Sequence, residues 1–228
     1  EILKQAQYIE VRKNIGFGAG HNLAIKKAIE NKSKYHLVIN PDIYFMPGVL
    51  EDLYEYMESN PDVGNVMPLV TYPDGRNQYL AKMMPDPFTL ILRLFYRYLP
   101  EHTVEKLSRN YELQDLPLDR PVEVPSLSGC FMFLRCEALK EVGFFDERFF
   151  LYFEDYDLNR RISQKYKTVF YPLSSIVHHF ERASRRDPIA FRHHLFSAVR
   201  YFNKWGWFFD SKRREENKKI KFEIGIDQ

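Results

Sequence analysis

The sequence carries almost no surplus of charge. Its 33 Lys and Arg stand against 31 Asp and Glu, a net +2, which is too little for the electrostatic footprint of a dedicated nucleic-acid binder. Cysteine is nearly missing. Only Cys130 and Cys136 are present, in an apolar run and with no secretory signal ahead of them. They read as reduced core thiols of a cytosolic protein, not as a disulfide framework. No stretch approaches the ~20 uninterrupted apolar residues of a spanning helix. There is no internal repeat and no low-complexity tract. The opening Glu1-Ile2-Leu3-Lys4 is neither a signal peptide nor a start at Met, so the chain is expected to begin mid-protein.

What is there suffices for one large domain. Of 228 residues 45% are hydrophobic and 28% charged, a composition that builds a core and excludes a disordered chain. Tyr8–Val11 alternates like a short strand. The glycine-rich turn Asn14–Gly20 is followed by a helix facing inward through Ala24, Ile25, Ala28 and Ile29. Leu37-Val38-Ile39 is a buried strand ended by Asn40-Pro41-Asp42. Pro47 opens a second helix with Val49, Leu50, Leu53 and Met57 on its core face. Val66–Val70 is a strand and Pro73-Asp74-Gly75 a turn. This β-α-β-α order predicts an α/β fold with a mainly parallel sheet. Helices are expected over 87–98 and 101–113, a proline-punctuated linker over 117–125, and a strand over 129–134. Further on come short helices near 137–141 and 154, and short strands at 168–171 and 176–177. Asp187-Pro188 has the form of an N-cap before Pro at the first helical position, opening a helix toward Lys204. Residues 212–228 read as a charged, loosely packed tail.

Three places could carry chemistry. Asn40-Pro41-Asp42 puts a carboxylate at the end of a buried strand, where α/β sheets bind ligands and where a hard cation finds oxygen ligands. The same triplet is also good turn chemistry in any protein. Glu154-Asp155-Tyr156-Asp157 crowds three carboxylates behind the aromatic run Phe149–Phe153. Burial there would raise an acid toward a general base, whereas helix capping is the plain alternative. Asp157 and Arg161 have the spacing of a helical ion pair, which leaves Asp155 for chemistry. Of His178 and His179, neighbours on a strand point to opposite faces, so one at most faces a site. Arg182, Arg185 and Arg186 could clamp phosphate oxygens or solvate a loop. Gly16, Gly18 and Gly20 do not have dinucleotide-fingerprint spacing.

Taken in order, these segments resemble the bacterial family-2 glycosyltransferases, in particular their rhamnosyltransferase-like branch. Asn14–Asn22 is similar to the family's N-x-G-F-x-x-G-x-N segment, and Val38–Asp42 to its L-N-P-D form of the metal-binding motif. Ser128–Arg135 resembles the segment lining the sugar and acceptor site. Gly143–Leu158 resembles the long G-x-F-D-E-x-F-F-x-Y-x-E-D-x-D-L signature, and His179-Phe180 with Ser184 the late H-x-x-x-x-S element. The resemblance implies a nucleotide-diphospho-sugar transferase fold of the A type with C-terminal helices. It implies Asp42 and His179 as ligands of a divalent metal, Mg²⁺ or Mn²⁺. Asp155 would be the base, with Glu154 beside it. Asn14, Gly16, Asn22, Asn40, Gly129 and Arg161 would lie at the donor.

The activity implied is inverting transfer of a sugar, rhamnose by this branch, from a dTDP- or UDP-sugar. The acceptor would be a glycan or a polyprenyl-diphosphate-linked sugar of cell-surface polysaccharide synthesis. Residues 1–210 would form the catalytic domain and 211–228 the tail. The family's base-reading first strands are expected to be absent ahead of Glu1. The aromatic and basic segments 87–98 and 191–209 could lie at the inner face of the cell membrane or pack as core helices. The two readings are balanced for the first segment, and core packing is favoured for the second. A non-catalytic relative and a sugar nucleotidyltransferase are the alternatives. The latter would need a basic, glycine-rich triphosphate loop, which this sequence does not show.

Overall fold

A computed structural model describes residues 6–179 and 187–225. The expected α/β architecture is present, built on a six-stranded sheet of order β1-β7-β3-β8-β2 with β5 beside β8. The elements are α1 (Phe17–Glu30), β1 (Tyr35–Ile39), β2 (Ile43–Tyr44), α2 (Val49–Ser59) and β3 (Val63–Thr71). Then come β4 (Ala81–Lys82), α3 (Pro87–Leu94), a 3₁₀ turn at Tyr96–Tyr98, α4 (Glu101–Tyr111), β5 (Val122–Glu123), β6 (Ser126–Leu127) and β7 (Phe131–Arg135). The chain continues through α5 (Cys136–Val142), α6 (Glu154–Ile162), β8 (Lys167–His178), α7 (Pro188–Trp205) and α8 (Ser211–Glu223).

The sheet is mixed, not mainly parallel. Among the described strands only β3 and β8 run parallel; β7 is antiparallel to both β1 and β3. The excursion from residue 72 to 130 is the reason. It leaves β3 and re-enters β7 at the same end of the sheet, so β7 must run back. That end gathers the C-termini of β1, β3 and β8 and the start of β7, with Ile39 opposite Phe131 and Thr71 opposite Val177.

Other expectations shift in detail. Tyr8–Val11 forms no strand. The first helix starts inside the glycine-rich turn, at Phe17, and α2 starts at Val49 with Gly48, not Pro47, at its N-cap. The proline-punctuated linker contributes β5 to the sheet. The two late strands are one, β8, with a register shift after Pro68 of its partner. Asp187 caps α7 as expected, its Oδ1 accepting from Ile189 N–H at 2.8 Å. The charged tail is a docked helix. Asn217 of α8 exchanges two hydrogen bonds with the Met84 backbone, and Ile220 is buried.

Three apolar clusters hold the layers. One packs α2 and residues 111–127 on the sheet, another packs α1, α5 and α6 on its other side, and the third joins Phe149 and Phe153 to Ala198, Tyr201 and Phe202 of α7. Burial of this kind contributes about 25 cal/mol per Å² of apolar surface. Arg160 of α6 is locked into the third cluster by a buried bidentate pair with Asp210, both contacts at 2.6 Å. Cys130 and Cys136 are free and buried, as expected.

The segment 191–209 is not simply core. Ala198, Tyr201 and Phe202 pack inward, while Phe191, Leu195, Phe196 and Val199 are exposed and Phe209 is 95% exposed. On α3 and the turn after it, Phe88, Ile91, Leu94, Phe95 and Tyr98 are exposed as well. No helix among the described residues is long and apolar enough to cross a membrane.

Candidate active site

Asp155 occupies the first turn of α6, and the loop before it explains its position. Tyr152 and Phe153 both adopt left-handed backbone, φ 67° and 68°. For side chains of this size such conformations cost of order 1–3 kcal/mol each and persist only where the surroundings impose them. Here Phe153 is 2% exposed, and Ser197 Oγ of α7 donates to Leu151 O at 2.8 Å. The double left-handed step aims α6 so that Asp155 meets the segment before β7. Gly129 N–H donates to Asp155 Oδ2 at 3.0 Å, and Tyr156 N–H donates to Oδ1 at 2.8 Å. Burial pushes the Asp155 carboxyl up; these N–H groups and the Lys82 charge oppose it.

Glu154 is buried at 5% exposure, with Oε2 lacking a hydrogen-bond partner. Burial first, and the Asp155 charge second, push it well above its ordinary value. It is therefore suited to stay protonated beside an ionised Asp155. The third carboxylate is structural. Asp157 is fully buried and bound by Arg161 Nε at 2.9 Å, Trp205 Nε1 at 2.8 Å and Lys204 Nζ at 2.6 Å.

Asn159, which the sequence reading passed over, braces the site. Its amide nitrogen donates to Leu127 O and Asp155 O, and its oxygen accepts from Asn65 of β3. Its signal was a polar residue on the inward face of α6, four after Asp155. Cys130 sits beside this group, but burial pushes its thiol up to about 12. It stays a protonated thiol and no nucleophile.

Asp42 lies just past β1 at the same end of the sheet, with its side chain 42% exposed. Asn40 continues the β1–β7 ladder by donating its N–H to Cys130 O at 2.8 Å. The imidazole brought to Asp42 is that of His178, not of the expected His179. His178 Nε2 is 3.4 Å from Asp42 Oδ1. His179 is exposed, lies tilted against the Tyr44 ring, and donates its backbone N–H to Asp42 O at 2.9 Å. The strand alternation that separates the two rings was legible; which ring faces inward was not.

Gln78, also passed over, orients the His178 ring. Its Nε2 donates to Thr71 O and His178 O, so its Oε1 must face His178 Nδ1, 2.9 Å away. Nδ1 thus faces an acceptor, and Nε2 turns toward Asp42. A carboxylate oxygen and an imidazole nitrogen side by side are a donor pair that would suit Mn²⁺ or Mg²⁺. Among the described residues no group of three or more His, Cys, Asp or Glu gathers into a metal cluster.

Four residues expected at the donor are engaged otherwise. Asn22 is buried and clamps the 145–147 turn, accepting from Phe145 N–H and donating to Phe145 O and Glu147 Oε1. Asn14 Oδ1 accepts from Gly16 N–H. Gly16, at φ +95°, lets the chain cross Phe150, whose carbonyl oxygen would lie 2.5 Å from an added Cβ. The Arg161 guanidinium is consumed by Asp157 and by the carbonyls of Val142, Gly143 and Phe144. Asn22 and Gly16 thus join the glycine-rich segment to the acidic signature, while Arg161 braces that signature at its start. Phe180, Arg182, Ser184, Arg185 and Arg186 lie outside the described residues.

A family model described as "Glycosyl transferase family 2" matches residues 1–143, more than half of the chain. The chain belongs to glycosyl transferase family 2. Two curated relatives from Mycobacterium tuberculosis (strains CDC 1551 / Oshkosh and ATCC 25618 / H37Rv) are 30% identical over 211 residues. Each is named N-acetylglucosaminyl-diphospho-decaprenol L-rhamnosyltransferase, and the match covers 84% of this chain and 66% of theirs. The chain thus spans slightly under two thirds of the length of these relatives. A glycosyltransferase of Methanocaldococcus jannaschii is 28% identical over 95 residues, 39% of this chain and 32% of its own. Among solved structures, GalNAc-T7 with UDP, GalNAc and Mn²⁺ superposes with a TM-score of 0.58 at 14% identity, covering 96% of this chain and 45% of that one. That likeness shows the fold, the A-type glycosyltransferase fold expected from the sequence.

Proposed function

We propose that this family-2 domain is the catalytic part of an inverting glycosyltransferase. It moves a sugar from a dTDP- or UDP-linked donor to a glycan or polyprenyl-diphosphate-linked acceptor. Rhamnose as the sugar and an N-acetylglucosaminyl-diphospho-lipid as the acceptor follow the M. tuberculosis relatives. The observation that carries the reading is the backbone-anchored Asp155 carboxylate, at the same end of the sheet as Asp42.

The residues divide the work. Asp155, fixed by two N–H groups, keeps lone pairs free to take the proton of the acceptor hydroxyl as that oxygen attacks the anomeric carbon. The bond to the diphosphate breaks on the opposite face, so the configuration inverts. One carboxylate base suffices for this single displacement, whereas a retaining glycosidase needs a pair about 5 Å apart. Glu154, held neutral, keeps a second negative charge away from the incoming donor. Asp42 and His178 would hold a divalent cation, which when bound neutralises charge on the leaving diphosphate. Asn40 and Gly129 shape the floor between the two groups. The exposed aromatic faces of α3 and α7, with Arg97, Arg192 and Arg200 among them, support contact with the cytoplasmic face of a membrane that carries the acceptor.

Calorimetry with UDP and dTDP, with and without Mn²⁺, tests the donor site on wild type and Asp42→Ala. Metal-dependent binding lost in the variant is the expected result. Equal binding by both proteins would sink the assignment of Asp42.

A further inference from the structure

We propose that Lys82 is an acceptor-binding residue whose ammonium pairs with the acceptor's phosphate group and so holds the acceptor hydroxyl against Asp155. The proposal rests on the transferase reading above and deepens it.

The placement comes from a small second sheet. β4 and β6 pair antiparallel, with Lys82 opposite Ser126 and Ala81 opposite Leu127. Ser128 N–H donates to Leu80 O at 3.1 Å, which carries the pairing to the residue before Gly129. Lys82 therefore stands on the strand next to the one that anchors Asp155. Its side chain is mostly buried, and the titratable groups that reach it are Glu112 just past α4, Arg93 of α3, Asp155, Cys130 and His194 of α7.

Nothing there pairs with it. Glu112 is committed to Arg93 at 2.9 Å and to Gln114 at 3.2 Å. Asp155 accepts from two backbone N–H groups and closes no ion pair with Lys82. No carboxylate closes an ion pair with Lys82 among the described residues, and two of its charged or titratable neighbours, Arg93 and His194, are basic. An enclosed ammonium without a counter-ion is expensive. Such a group is stabilised by an arriving anion, and phosphate oxygens are what a lysine takes as a point charge.

The donor diphosphate and the acceptor diphosphate share this chemistry. The acceptor's is favoured by position. Lys82 lies within electrostatic reach of Arg93 on α3 and His194 on α7, helices that expose apolar faces for a lipid tail, whereas Asp42 and His178 stand at the ends of β1 and β8.

The test compares wild type, Lys82→Met and Lys82→Arg on two acceptors of one sugar: short-chain polyprenyl-diphospho-N-acetylglucosamine and the neutral octyl N-acetylglucosaminide. Both the kinetics of transfer and direct calorimetric binding are read, and thermal melting checks the fold. Lys82→Met should raise KM and Kd for the diphosphate acceptor about 10- to 100-fold. Measured on the high-pH plateau, above the acid limb that Asp155 sets, it should leave KM for the neutral acceptor and the Kd for UDP or dTDP unchanged, and Lys82→Arg should recover most of the loss. An equal loss on both acceptors, a loss confined to nucleotide affinity, or no change would overturn the proposal. Lys82-dependent binding of the diphosphate probe without any transfer by wild type would sustain Lys82 and sink the transferase reading instead.

Discussion

Gly129 donates its backbone N–H to Asp155 Oδ2 across 3.0 Å, joining the start of β7 to the first turn of α6. The bond makes the carboxylate a fixture of the sheet end and not of a free loop. A Cβ on Gly129 would meet Asp155 Cβ and the Phe17 ring at 3.4 Å, so the glycine serves this close approach. Asp155→Asn keeps the shape and removes the carboxylate proposed as the base. Its kcat should fall about 10²- to 10⁴-fold, while nucleotide affinity and melting temperature stay near wild type. Retained turnover would remove Asp155 from the chemistry.

The same carboxylate sets a pH limb. Burial raises Asp155, and Lys82 holds it down. Only the ionised form acts as a base, so kcat/KM falls as pH drops through this raised value. Removing the Lys82 charge raises it further. In Lys82→Met, with the neutral acceptor, the acid limb should move to higher pH. A limb that stays put would mean that another group controls it.

Gly16 tests the bolt between the two signature segments. Phe17 N–H donates to Phe150 O at 2.9 Å, and a Cβ on Gly16 would lie 2.5 Å from that same oxygen, at φ +95°. Gly16→Ala must displace backbone on one side. It should lose roughly 1–3 kcal/mol of stability or more, seen as a lower denaturant midpoint. Gly20→Ala, whose Cβ would meet nothing within 4 Å, should be neutral or stabilising.

The sequence showed the order of elements well, because Leu53, Met57 and Ile25 follow simple periodicities that burial confirms. It showed the Asp157–Arg161 pair, since that depends on local spacing. It did not show strand direction, which the long excursion before β7 decides. It did not show that Asn22 and Arg161 are clamps, because their partners at 142–147 are backbone carbonyls, an N–H and Glu147, set by folding. Lys82 was not singled out, because β6, the strand beside it, is distant in the chain and is brought there only by folding. Ile220 and Asn217 were hidden by the charge around them, which made a docked helix look like a tail.

Glu154 should make the fold less stable as pH rises. Its folded-state pKa lies well above the ordinary value of 4.5. For such a group the stability contribution is full below 4.5 and is lost as pH climbs through the folded value. Glu154→Gln abolishes that dependence. Subtracting the variant's melting temperatures from those of wild type at each pH should give a difference that falls steadily from pH 4.5 upward. A flat difference would mean that Glu154 titrates as it does in the unfolded chain.

The Gln78–His178–Asp42 chain yields the sharpest distinction between the two histidines. Gln78 orients the ring through Nδ1 and turns Nε2 to Asp42, the orientation that the proposed nitrogen ligand would need. His178→Ala should therefore raise the Mn²⁺ concentration needed for half-maximal nucleotide binding by at least about 10-fold. Gln78→Leu frees the ring and should raise it about 10- to 100-fold. His179→Ala, which removes a ring tilted against Tyr44 at 5.1 Å, should change it little. Manganese titrations followed by calorimetry would read all three. A large effect at His179 with none at His178 would return the metal role to the residue first expected from the sequence.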